Sequence, residues 1–519
     1  MAAATSGEAG AAGSRSAAGT HNPWLVAVIV SMATFMEVLD TSIANVSLQH
    51  IGGSLAASRD ESTWVLTSYL VSNAIILPIS GWLARAIGRK RFYMICVGVF
   101  GVSSLLCGLA PSLGSLIFFR ILQGLGGGGL APSEQSILVD TFSPAQRGQA
   151  FALYGIAVVV APTLGPTLGG WITDSYSWRW IFLINVPVCI LSLVLSGLIL
   201  VDPPALQAER AAASRRGASI DYLGFALVAV GLGCLQLVLD RGTQDDWLAS
   251  DLILVFAIVA VLTLTFLVVW ESAQRDPVVD IPLFKDRNFA ASMAVMFITG
   301  FILIGTTQML PQFMQTLMGY TAMQAGMALT AGGLATLVCM PLVGVLTKKI
   351  QPKYLIAFGL VVEAVGCWHL SGITTEMSFA HLAWARVIQA AGLPFLFVPI
   401  SIVAYAGLPP EKNNNAAALT NTMRNLGGSF GISLSIALLA RRGQFHQSRL
   451  TETIGTLAHP LPIPGRAALI RLGHSLQAQA AVISYVDIFW LLMIIAAVAA
   501  PLMLVLLRRV DLSNSTAAP

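Results

Sequence analysis

Charge is what this chain lacks. Asp, Glu, Lys and Arg together make up 10% of its 519 residues, where a soluble domain carries about a quarter. So little charge cannot cover a water-facing surface, which excludes a soluble globular domain, and a net charge of +4 is too small to hold a nucleic acid. No Gly-x4-Gly-Lys-Ser/Thr segment occurs, so a P-loop ATP-driven pump is excluded within the chain. The seven histidines form no His-Glu-x-x-His pair, and the six cysteines (Cys96, Cys107, Cys189, Cys234, Cys339, Cys367) have no CxxC spacing. All six lie in apolar stretches, where a free thiol behaves as a small hydrophobe. No metal site, disulfide framework or cofactor is expected, and no enzyme chemistry.

Apolar residues are present in excess, at 56%. They fall in runs of about 20, the length a bilayer demands of a helix. Hydropathy predicts fourteen spans, at 24–44, 63–83, 92–110, 114–138, 148–172, 178–200, 221–240, 252–270, 289–316, 322–346, 354–372, 379–407, 414–438 and 485–507. An even number puts both termini on one side. With that side cytoplasmic, Arg85, Arg89, Lys90, Arg91, Arg147, Lys348, Lys349, Lys353, Lys412, Arg508 and Arg509 fall inside, while Arg59, Arg179 and Arg241 fall in short outer loops. The outer segment 441–484 breaks the rule with five arginines, but long segments obey it poorly.

The chain also says one thing twice. Arg120-Ile-Leu-Gln123-Gly-Leu-Gly126 returns as Arg386-Val-Ile-Gln389-Ala-Ala-Gly392, and Gly81-Trp-Leu-Ala-Arg-Ala-Ile87 as Gly344-Val-Leu-Thr-Lys-Lys-Ile350. The shared offset of about 265 residues marks two related halves in parallel order, the trace of a transporter with two bundles around a central site. The resulting division is a disordered cytoplasmic tail at 1–22, a six-helix bundle at 23–200, and linkers with an inserted helix pair at 201–288. A second six-helix bundle follows at 289–508, with a long periplasmic loop at 441–484 and a tail at 509–519. The fold class is all-α and polytopic.

Ionisable residues inside such spans are costly and mark function by default. Asp40 lies about 24 Å from the inner face and Arg120 about 20 Å, at ~1.5 Å per residue, so the two can meet in the first bundle. Burial and a nearby arginine push the pKa of such an acid in opposite directions, which poises it to carry a proton; the alternative is a static ion pair pinning two helices. Glu37, one turn before Asp40, either titrates with it as a coupled pair or binds cationic substrates. Glu134 is expected at the cytoplasmic interface. Glu363 and Arg424 reach the midplane and either pair with each other or line a cavity. In span 5, Gly165-Pro166-Thr-Leu-Gly169-Gly170 combines a bend with close packing, either ordinary tight packing or a pivot for the cavity. Gly81 and Gly88, beside Arg89-Lys90-Arg91, suggest a tight inner loop, and Asn45 closes a polar, bundle-facing stretch.

Several of these segments resemble signatures of the fourteen-helix drug:proton antiporters of the major facilitator superfamily, the EmrB/QacA type. Leu39-Asp40-Thr-Ser-Ile-Ala-Asn45-Val is similar to the span 1 signature of that branch, and Arg120-Ile-Leu-Gln123-Gly124 to the span 4 motif linked to proton coupling. Gly165-Pro166-Thr-Leu-Gly169-Gly170 is similar to the span 5 antiporter motif, and Arg424-Asn-Leu-Gly-Gly-Ser-Phe-Gly431 to a further one. The resemblance covers residues 24 to about 508. It implies a proton-coupled exporter of amphiphilic drugs in a bacterial inner membrane, with a periplasmic membrane-fusion adaptor and an outer-membrane channel as partners beside membrane lipid. A dedicated exporter of one metabolite is the alternative. Asp40, Glu37, Arg120 and Gln123 are then the proton-coupling set. Gly165, Pro166, Gly169, Gly170, Gly81, Gly88 and Arg89 are the conformational set; Asn45, Glu363, Arg386, Gln389 and Arg424 are candidates for the cavity. One departure stands out: Arg85 occupies a place where the superfamily's loop motif carries an acid.

Overall fold

A computed structural model describes residues 22–202, 221–274, 277–457 and 466–510. The expected tails at 1–22 and 509–519 and the linker at 201–220 lie almost wholly outside these residues.

The first bundle comprises α1 (Pro23–Ser54), α2 (Arg59–Ile87), α3 (Arg89–Gly108), α4 (Leu113–Gly127), α5 (Leu130–Thr141), α6 (Pro144–Ser175), α7 (Trp180–Leu183) and α8 (Asn185–Ile199). The inserted pair is α9 (Tyr222–Arg241) and α10 (Asp251–Ala273). The second bundle comprises α11 (Arg287–Leu317), α12 (Ala322–Leu346), α13 (Pro352–Leu370), α14 (Phe379–Gly392), α15 (Pro394–Tyr405), α16 (Asn413–Leu457) and α17 (Arg466–Leu506). Helix starts are written in the sequence. Asn22 caps α1 ahead of Pro23, Ser58 and Glu61 form a capping box on α2, and Thr321 with Gln324 does the same for α12. Gly88, at φ 102°, makes the corner between α2 and α3, where a residue with a Cβ would be strained.

Among the described residues twelve helices are long and apolar enough to cross a membrane, thirteen with α6 counted as one span bent by 45°. The remaining expected span, 414–438, falls on α16. It fails on apolarity because it carries Asn414, Asn415, Asn421, Arg424 and Asn425. Four of these five side chains are buried and the fifth half-buried, facing protein rather than lipid. This polarity belongs to a helix that lines the contact between the bundles.

That contact has two seams, α2 on α16 and α6 on α12. In the first, a Cβ on Gly81 would come within 2.7 Å of the Asn415 side chain and 3.0 Å of the Asn414 carbonyl, so only glycine admits the crossing. The second brings Gly148 against Gly344 near one end and Thr167 against Gly326 near the other. The inserted pair docks through α9 on α2, where Asp240 accepts from Thr67 and Arg241 donates to Thr63 at 3.1 Å. α10 rests on α9 and turns Val255, Ile258, Val261, Leu262 and Val269 outward, a face suited to lipid.

The segment 441–484, expected as a loop, is different in kind. α16 continues unbroken to Leu457 and α17 starts at Arg466, so the described part is a helical hairpin. At ~1.5 Å per residue the 45 residues of α16 span about 68 Å, more than twice the hydrocarbon core of a bilayer. Hydropathy reads the polar outer part as non-spanning but cannot tell a loop from a helix that has left the membrane.

Candidate transport site

Asp40 sits midway along α1 with 2% of its surface exposed. From α4, Arg120 places Nη1 2.5 Å from Asp40 Oδ2. The other oxygen, Oδ1, accepts from Gln123 Nε2 at 3.1 Å and from Asn185 Nδ2 at 2.7 Å. Ser104 Oγ on α3 accepts from both amides, at 3.1 and 2.9 Å, and so fixes their orientation. Arg120 Nε donates to the Val65 carbonyl at 3.0 Å, and Nη1 also reaches Gln123 Oε1 at 2.8 Å. Nη2 has no acceptor, but the guanidinium carbon stands 4.2 Å from the centre of the Tyr69 ring, which offsets part of that loss. Four helices thus converge on one carboxylate, whose bonds are charge-assisted and shielded from water. A proton on Asp40 would cancel the anion and leave Arg120 with neutral acceptors only.

Glu37 has hydrogen-bond partners of its own. Its Oε1 accepts from Tyr69 OH at 3.1 Å and Asn73 Nδ2 at 3.2 Å. Tyr69 therefore joins the two acids, bonding one through its hydroxyl and covering the arginine of the other with its ring. Glu134, expected at the interface, is instead fully buried and accepts from Ser31 of α1. Position along the span gives a depth but not the face that a side chain takes, and Glu134 faces α1 rather than the interface.

The second bundle repeats the arginine and glutamine but not the acid. Arg386, wholly buried, donates to Gln389 Oε1, to Thr306 at 3.0 Å and to Thr307 at 2.8 Å. Glu363 accepts from Gln389 Nε2 at 2.7 Å. It does not pair with Arg424. That residue bonds Tyr154 OH of the first bundle at 2.6 Å, and Tyr154 in turn donates to Asn421 at 2.8 Å. Arg424 is thus a residue of the contact between bundles.

At the end carrying the basic loops the bundles are sealed. Arg89 is ion-paired with Asp140 and donates to the Ser136 carbonyl at 3.1 Å, while Asn413 of the second bundle donates to the same Asp140 at 3.3 Å. Phe151 stacks on Tyr405 at 5.6 Å, and Gln135 accepts from Tyr405 and Asn421, both at 3.1 Å. Arg85, in the place of the motif's acid, donates to the Pro277 carbonyl at 3.4 Å. Toward the opposite end Asn45, exposed, donates to Gln308 of the other bundle at 3.3 Å. Gly165 and Gly169 pack on Ser42 and Ile43 of α1, just past Asp40. Ser42 donates to the Pro162 carbonyl that Pro166 leaves without a helical donor, at 3.0 Å. Gly170 faces open space. The span 5 motif is therefore fitted to the helix that carries the acid, with Pro166 turned toward Gly326 of the other bundle.

Sequence reasoning missed Tyr69, Ser104 and Thr306. Hydroxyl-bearing residues are ordinary in apolar helices and gave no signal. Asn185 had one, as an amide inside an apolar span.

The sequence pattern of the Major Facilitator Superfamily matches residues 30–432. The chain is 36% identical over 479 residues to the multidrug export protein EmrB of Escherichia coli, covering 90% of this chain and 92% of that one. It is 37% identical over 429 residues to the fatty acid resistance protein FarB of Neisseria gonorrhoeae, with 83% of each covered. In structure it is similar to the proton:xylose symporter XylE, at a TM-score of 0.60 and 14% identity over 94% of this chain and 96% of that one, a likeness of fold. The two related bundles, their buried arginines and these likenesses agree: the chain is a multi-pass membrane protein of the major facilitator superfamily, in the group of the EmrB-type multidrug export proteins.

Proposed function

We propose that the protein is a proton-coupled antiporter that exports amphiphilic drugs across a bacterial inner membrane, with both termini in the cytoplasm. The observation that carries this is the buried Asp40–Arg120 pair, held by Gln123 and Asn185 on a helix that packs along α6, one of the helices of the bundle contact. An ion pair of that kind is strongly destabilised when one partner loses its charge. Protonation of Asp40 is then a change large enough to bias one arrangement of the bundles over another, provided that proton and drug bind different arrangements. The sealed end, rich in basic loops, is the cytoplasmic one, and the Asn45–Gln308 end faces outward. The likeness to FarB favours a second reading, export of an amphiphilic acid, with the same machinery.

The projecting hairpin of α16 and α17 supports a partnership with a periplasmic adaptor and, through it, an outer-membrane channel. A groove of about 610 Å³ lies at its base, lined by Gln312, Thr316, Gln444, Gln447, His474 and Gln477 among others. Transport by inverted vesicles across a panel of amphiphilic cations and acids, with and without an imposed pH gradient, tests the coupling and separates the two substrate classes. Removal of residues 445–478 should lose resistance in whole cells and keep transport in vesicles if the hairpin serves a partner.

A further inference from the structure

The second bundle holds a carboxyl that the proposed coupling does not use. Glu363 of α13 is wholly buried at the level of Arg386. Its Oε2 takes one hydrogen bond, from Gln389, and its Oε1 has no donor in reach. Arg386 spends Nη1 on Thr306 and Gln389 and Nη2 on Thr307, and its Nε has no acceptor. Acid and cation therefore stand on either side of one glutamine, each with an unused valence. The helices packed on α13 are α14, α15 and α17. Of the charged and titratable groups they present, Arg386 is the one that acts on Glu363, and Cys367 is its titratable neighbour on α13 itself.

We propose that Glu363 is a second proton-binding carboxyl, working against Arg386 through Gln389, so that each turnover moves more than one proton. The inference rests on the antiport reading above. A proton fits on Oε1, which faces no competing donor. Once it leaves, the carboxylate has a single cation within reach, and a rotation of Gln389 brings the two together. To turn toward Glu363, Arg386 must release Thr306 and Thr307, and both stand on α11. Thr307 is half-buried and adjoins Gln308, the residue that reaches Asn45 of α1. A proton gained or lost at Glu363 thus acts on α11 at the point where it meets the helix of Asp40. The first bundle makes the comparison sharp. Asp40, Arg120 and Gln123 stand at the same offset from Thr306, Arg386 and Gln389, so the acid of the first set is replaced by threonine and supplied from another helix.

The test uses the full-length protein in liposomes with ethidium as probe and the membrane potential clamped at zero. The slope of log accumulation against the imposed pH difference counts protons per ethidium. Wild type should give a slope above one. Glu363→Gln should lower it by one, so accumulation at one unit of pH difference falls about tenfold, and Glu363→Asp should keep the wild-type slope. An unchanged slope in Glu363→Gln, or a wild-type slope of one, overturns the second site and leaves the antiport reading intact. No proton-driven ethidium movement by wild type overturns both. Should Glu363→Gln fail to fold, proton release on adding ethidium to the wild-type protein in weakly buffered detergent decides instead. More than one proton per ethidium supports the proposal, and a single proton overturns it.

Discussion

The two bundles answer the same problem, an arginine in the middle of a membrane, in different ways. In the first, Asp40 meets Arg120 directly at 2.5 Å and two side-chain amides saturate its second oxygen. In the second, Gln389 stands between Glu363 and Arg386, and hydroxyls of α11 take the place of the acid. A closed ion pair resists any change short of protonation, because either charge alone is costly there. A pair held apart by a neutral amide can close by giving up hydrogen bonds to neutral hydroxyls, without parting two opposite charges. The difference assigns the high barrier to the first bundle and the softer adjustment to the second.

The largest expected effect comes from removing the acid of the closed pair. Asp40→Asn should cut proton-driven drug accumulation in inverted vesicles by about a hundredfold or more, with the protein still folded and inserted because the amide keeps the shape, though at a lowered Tm because Arg120 keeps its charge without the acid. Full accumulation by this variant would take the barrier away from the Asp40–Arg120 pair and make Glu37 the leading carrier. Arg120→Ala comes next. It strands a buried carboxylate, which costs roughly 3–5 kcal/mol, seen as a lowered Tm, whereas Arg120→Lys keeps the charge, loses the fork and should retain partial transport. Equal, full activity in both would end the distinction.

Thr306→Asp sharpens the comparison further by giving Arg386 the direct partner that Arg120 has. The variant should make Glu363→Gln nearly silent in the proton-counting assay, since Arg386 would no longer turn toward Glu363. A double variant as defective as Glu363→Gln alone would show that the missing acid is not what separates the two bundles. The smallest effect is expected at the outer contact. Asn45→Ala removes one exposed hydrogen bond, at most about 1 kcal/mol, so transport rates should change by no more than a few-fold, with stability untouched.

Much of this was legible beforehand, for a physical reason. Buried charge in a bilayer is rare, so Asp40 and Arg120 identified themselves, and their depth along two spans predicted that they meet. The repeated Arg-x-x-Gln located Arg386 and Gln389 in the same way. What could not be read was which partner each remaining charge would take. Glu363 and Arg424 lie at similar depths but on helices facing different neighbours, and depth carries no azimuth. Hydroxyl and tyrosine partners stayed hidden because apolar helices tolerate them anywhere. Glu134 was expected at an interface for the same reason: its depth was legible, the face it takes toward α1 was not.

One further consequence follows from the reach of α16. Its first residues, Asn413 to Asn415, form part of the seal at the end carrying the basic loops, Arg424 follows about three turns on, and its far end stands outside the bilayer in the hairpin. No proline interrupts it. Over about 68 Å a tilt of a few degrees displaces one end by several ångströms relative to the other. The helix is in effect a lever with its fulcrum in the membrane, so whatever grips the hairpin from outside holds a handle on the lock at the opposite face.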